Sequence, residues 1–114
     1  MLGIKNRFHG HGSLGYVYKN GDAVRSHLAT IKYVKNTRRN ESRVAVVVSK
    51  KVHKSAVGRN RIRRRIYEIM RQELPAIHES YDIAVIVISG EAIATPHEEL
   101  QRVIHEMLES TPVF

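Results

Sequence analysis

Between Arg59 and Arg65 the chain places five arginines in seven residues, inside the stretch GRNRIRRRIYEIMR from Gly58 to Arg71. Charge at that density is compatible with a folded element only if another part of the same segment is anchored. Ile62, Ile66, Ile69 and Met70 supply the anchor, because on a helix at roughly 100° per residue they share a sector about a third of the circumference wide. Ser55 and Gly58 extend that sector with small residues that permit close approach to a sheet. Asn60, Arg64, Tyr67 and Arg71 form the ridge pointing away, flanked by Arg61 and Arg63. The spacing predicts a helix from about Ser55 to Gln72, stopping before Pro75. Arg59 projects near the apolar sector; either it lies in the first turn and reaches past the sheet edge, or the helix starts later.

The anchor needs apolar surface beneath it, and the remaining sequence provides it. Leu28 to Val34 alternates as a strand, KNTRRNES from Lys35 to Ser42 is a polar turn, and Val44 to Val48 is a β-branched run suited to a buried strand. Ser49 to Lys54 is a basic loop, and Asp82 to Ser89 is a further buried strand broken by Gly90. In SLGYVYKNG, Leu14, Val17 and Tyr18 share a helical face, with Ser13 as N-cap and Gly21 as a left-handed stop. Thr95, Pro96 and Glu98 read as a capping box opening a last helix, whose stripe is Leu100, Val103, Ile104, Met107 and Leu108. Residues 1–12 carry three glycines and no hydrophobic period, which predicts a flexible arm. The expectation is one domain over 1–114, an α+β fold of the α/β-sandwich kind in the order α-β-β-α-β-α, with helices covering a small sheet.

Nineteen Lys and Arg against eleven Asp and Glu give a net charge of +8. Lys50 to Arg71 holds nine of those cations and a single acid, Glu68. Only Glu68 can neutralise charge along that helix, through Arg64, Arg65 or Arg71. Unneutralised arginine, with Lys50, Lys51 and Lys54 just upstream, points to phosphate contacts and so to nucleic acid. With no cysteine, disulfides, thiolate metal sites and cysteine nucleophiles are excluded. The longest apolar runs are too short to span a bilayer, and MLGIKNRFHG lacks an apolar signal region, so a cytoplasmic chain is expected.

The segment from Arg43 to Glu68, RVAVVVSKKVHKSAVGRNRIRRRIYE, closely resembles the signature of the bacterial ribonuclease P protein family: a strand, Ser-Lys-Lys, then Ala-Val-x-Arg-Asn-Arg opening a basic helix. The resemblance implies a protein subunit that binds a large catalytic RNA. That RNA, with its bound Mg2+, removes the 5′ leader from precursor tRNA. It also implies a left-handed β-α-β crossover. By the same resemblance Arg59, Asn60, Arg61, Arg63, Arg64, Lys50 and Lys51 face the catalytic RNA, with Lys54 and Arg71 continuing the basic surface. The family's leader cleft, between its first helix and the sheet, maps onto Leu14, Tyr18 and Lys32. The family favours an aromatic residue where Leu14 and Lys32 stand, and Tyr16 is the substitute ring. No membrane partner and no small-molecule cofactor are implied.

Other motifs compete weakly. Gly10 to Gly15 matches G-x-G-x-x-G but lacks the preceding strand of a dinucleotide site. His9 and His11 have no neighbouring carboxylate to complete a metal site, and His78, His97 and His105 are scattered. With only two aspartates and no paired-carboxylate motif, a protein-only metal-dependent nuclease is disfavoured. A structural RNA-binding protein, such as a ribosomal one, is the alternative reading. A helix-turn-helix DNA reader lacks the short partner helix it needs before the arginine helix.

Overall fold

The computed structural model of the chain describes residues 6–8, 11–38 and 40–114. The elements run α1 (His11–Asn20), β1 (Asp22–Arg25), β2 (Ala29–Lys35), β3 (Arg43–Val47), α2 (Ala56–Glu73), β4 (Tyr81–Val87) and α3 (His97–Glu109). The α+β expectation holds, with one strand more than the sequence suggested, since β1 is only four residues and shows no alternation. The sheet order is β1-β2-β4-β3. β1–β2 and β2–β4 are antiparallel, while β3 and β4 are parallel neighbours joined through α2.

One face of the sheet carries the main core. Ile31, Val44, Val46, Ile83, Val85 and Val87 pack against Ile62, Ile66, Ile69 and Met70 of α2 and the apolar stripe of α3. The four α2 anchors are at most 1% exposed. At about 1.5–3 kcal/mol for each fully buried side chain, they outweigh the repulsion of solvent-screened arginines on the opposite face. The other face is covered only in part. α1 lays Val17 and Leu14 on a smaller cluster with Phe8, Ala45 and Ala84, leaving Ile88 exposed beyond it.

Several local expectations are corrected. Ser13 lies inside α1, two residues past its start, and is not its cap. Gly21 is not left-handed; it is required because a Cβ there would sit 2.6 Å from the Val17 carbonyl oxygen and 2.9 Å from that of Tyr33. At α3 the cap position is Pro96, and the Thr95 hydroxyl donates to the Glu91 carbonyl instead of closing a capping box. The supposed arm is docked where it is described: the Phe8 N–H donates to the Val44 carbonyl at 3.1 Å, and the Phe8 ring is buried. His9, Gly10 and the side chain of His11 fall outside the described residues, and with them the histidine pair and the first position of the glycine motif, whose remaining residues lie in α1.

α2 and α3 are joined by a polar contact as well as by packing. Buried Glu73 meets His105 Nδ1 at 2.9 Å, and this hydrogen bond raises the His105 pKa above its ordinary 6.5. A raised folded-state pKa contributes stability that is full below the unfolded value and disappears as pH rises through the folded one. Thermal melts should therefore show a melting temperature that declines as pH rises above the ordinary histidine range, with His105→Gln flattening the decline.

Candidate nucleic-acid interface

The arginine helix is capped by Ser55, whose hydroxyl accepts from the Gly58 N–H at 2.9 Å. That places Arg59 in the first turn, and its guanidinium turns back onto the carbonyls of His53 (2.9 Å) and Lys54 (2.8 Å). Gly58 is buried, though not against the sheet: a Cβ there would fall 2.2 Å from the His53 ring. His53 Nδ1 in turn accepts from the Ser55 N–H at 3.2 Å. The loop bearing Lys50, Lys51 and Lys54 is thus pinned to the start of α2, and all three lysines are exposed.

The arginines divide sharply. Arg61 and Arg64 are exposed, with no carboxylate partner among the described residues. Arg63 donates to the Asn60 side chain, so these two hold one another on the same surface. Arg71 is neutralised by Glu68, Nη2 to Oε1 at 2.5 Å, and Glu68 is held down to about pKa 2, first by that hydrogen bond. Arg65 faces inward instead, donating to the carbonyls of Ala92 (2.8 Å), Ile93 (3.2 Å) and Thr95. Tyr67 also leaves the outward ridge: its hydroxyl accepts from the Val46 N–H of edge strand β3 at 3.2 Å. The expectation that most of these arginines lack partners fails for Arg59 and Arg65, whose partners are backbone carbonyls. A signal for Arg65 was present, since it stands three residues after Ile62 and four before Ile69, inside the buried stripe.

The half-open sheet face forms a cleft beside α1. Register places Lys32 opposite Ala84, and Ile86 opposite both Thr30 and Val47, all on this face. Lys32 Nζ donates to the Tyr18 carbonyl at 2.7 Å and lies 5.9 Å from the centre of its ring. Tyr18 is 39% exposed, and burial of the rest pushes its phenol up, keeping it a neutral donor. Leu14 is half-buried and packs on the smaller cluster. Tyr16 is separated from these three. On α1 it is roughly 200° from Tyr18, and it borders a groove with Lys35 and Arg38 on the helix's other flank.

No group of three His, Cys, Asp or Glu among the described residues is gathered so as to hold a metal ion. None of the described helices is long and apolar enough to cross a membrane.

Comparison with known proteins converges on one family. The model of the family described as Ribonuclease P matches residues 2–111. The ribonuclease P protein component of a Pseudanabaena species is 36% identical over 87 residues, covering 76% of this chain and 75% of the relative. That of Caldanaerobacter subterraneus is 32% identical over 98 residues, covering 86% and 82%. Among solved structures, the RNase P protein of Staphylococcus aureus superposes with a TM-score of 0.85 at 27% identity, over 96% of this chain and 97% of that one. The Thermotoga maritima RNase P protein shares the fold, with a TM-score of 0.81 at 21% identity over 92% and 96%. A basic loop pinned to an arginine helix, in a sequence matched almost end to end by that model and over three quarters or more of its length by those relatives, places this chain in the ribonuclease P protein family.

Proposed function

We propose that this chain is the RNA-binding subunit of a ribonucleoprotein endonuclease that trims the 5′ leader from precursor tRNA. The observation that supports this best is the pairing of Arg61 and Arg64 with Lys50, Lys51 and Lys54: five exposed cations, without carboxylate partners among the described residues, on two elements locked together by His53 and Gly58. Guanidinium forks carried on an anchored helix suit phosphates of a structured RNA, and lysines add point charges beside them. In this reading Asn60 and Arg63 face the same RNA, and Arg59 positions the loop from behind.

The leader occupies the cleft beside α1. Its base faces find Tyr18, its backbone finds the Lys32 ammonium, and Thr30, Val47 and Ile86 line the floor. Magnesium ions held by the RNA supply the activated water and the charge stabilisation of the phosphoryl transfer. The protein orients the substrate strand and screens the approach of two polyanions.

Tyr18→Ala should weaken binding of leader-bearing precursor tRNA to the assembled complex by roughly 5- to 150-fold, the equivalent of about 1–3 kcal/mol per stacked base. Mature tRNA, which has no leader, should bind as before. Equal losses for both substrates would assign Tyr18 to packing alone and remove the leader from this cleft.

A further inference from the structure

The groove on the far flank of α1 belongs to neither the arginine surface nor the Tyr18 cleft. It has a volume of ≈ 810 Å³, within the ~300–1,000 Å³ range of ligand clefts, and lies between the start of α1 and the turn after β2. Tyr16 stands at its rim, 57% exposed on a rigid helix, its hydroxyl without a partner among the described residues. The floor is the pair Arg43–Asp82, joined by two hydrogen bonds at 2.9 and 2.7 Å with side chains only 13% and 8% exposed. Asn36 completes that pair by donating to Asp82 Oδ1 at 3.1 Å. The floor is therefore polar but internally neutralised, and the rim sets the groove's charge.

That rim is positive. Arg38 is exposed and has no carboxylate partner among the described residues, while its N–H is fixed by the Asn36 side chain at 3.1 Å. Lys35 pairs with Glu79 at 2.8 Å, but both side chains are more than half exposed, and such a pair yields readily to a competing anion. A flat apolar ring beside a cation on a fixed turn matches a base joined to a phosphate.

We infer that this groove binds an unpaired nucleotide of an RNA strand, with the base stacked on Tyr16 and the phosphate held by Arg38 and Lys35. The inference rests on the RNA-binding reading above and adds a second single-strand site, separated from Tyr18 by the width of α1.

The test titrates the full chain, in a Tyr18→Ala background that removes the first single-strand site, with fluorescein-labelled oligouridylate, followed by anisotropy. Tyr16→Ala should raise Kd by roughly 5- to 150-fold, and Tyr16→Phe should stay within about twofold, because stacking needs the ring and not the hydroxyl. Arg38→Ala should weaken binding and make the logarithmic salt slope shallower by about 0.7. All three side-chain changes are at the surface, so melting temperatures should be unchanged. Unchanged affinity in Tyr16→Ala, a Tyr16→Phe variant as weak as Tyr16→Ala, or a background chain that ignores oligouridylate would each overturn the groove assignment. Titrating the same preparations and wild type with ribonuclease P RNA separates the two readings. If wild type binds that RNA and Arg64→Ala weakens it, the main assignment stands whatever Tyr16 does; no binding by wild type would remove both.

Discussion

Replacing Arg61 and Arg64 together by glutamate is expected to weaken binding to ribonuclease P RNA by roughly a hundredfold or more, with no loss of thermal stability. Each guanidinium now facing solvent contributes a charge-assisted contact of about 1.5–3 kcal/mol when it meets a phosphate, and every 1.4 kcal/mol is a factor of about ten. Two lost phosphate contacts should also make the logarithmic salt slope shallower by about 1.4–1.8. Stability should hold because both side chains are exposed and the helix is anchored from its opposite face by Ile62, Ile66, Ile69 and Met70. Removing two like charges from a crowded ridge also relieves repulsion in the free protein. Equilibrium binding across a salt series, beside melts of the same samples, checks both halves; unchanged affinity and slope would make the ridge a merely solvated surface.

The neighbouring residue should behave in the opposite way. Arg65→Ala is expected to lower stability by about 2–4 kcal/mol, which is roughly 10 °C or more in melting temperature, because three carbonyls lose a charged donor at once. Those carbonyls belong to Ala92, Ile93 and Thr95, in the segment that leads from β4 into α3. Arg65 therefore ties the basic helix to the last helix. Lysine should not restore it, since a single ammonium cannot reproduce the planar fork that reaches all three acceptors. Below its melting temperature the variant should retain the wild-type salt slope for RNA, because this guanidinium points away from the exposed ridge. A stable Arg65→Ala protein with a shallower slope would place Arg65 among the RNA contacts instead.

Helical spacing already set Arg65 apart from Arg64, but its three carbonyl partners, 27 to 30 residues downstream, were beyond the reach of any local pattern. The isoleucine stripe of α2 and the Leu100–Leu108 stripe of α3 were legible because helical periodicity dictates burial. β3 and β4 were legible because β-branched runs have few other uses. β1 was not, since four residues with no alternation become a strand only through pairing with β2. Gly21 was read as a left-handed stop, whereas a side chain there would collide with the carbonyls of Val17 and Tyr33, the second of which approaches only once the sheet exists. The same holds for His53 against Gly58: the pair is five residues apart on a loop and a helix, and no local pattern brings the ring onto the glycine. Among the site residues, the basic surface followed from charge density. Which cations are spent on carbonyls and which remain exposed depended on the fold. Tyr16 and Tyr18, two residues apart, were grouped together in sequence although a helix sends them to opposite flanks.

The most direct test of the central claim is a magnesium titration of precursor tRNA cleavage, with ribonuclease P RNA alone, with the chain alone, and with both. The assignment predicts no cleavage by the chain alone at any magnesium concentration, since in the proposed reading the RNA holds the catalytic ions. It predicts a markedly lower magnesium requirement for the mixture than for the RNA alone, because the +8 protein supplies part of the screening that divalent ions otherwise provide. Cleavage by scrupulously RNA-free protein, or a magnesium requirement indifferent to the protein's presence, would contradict it.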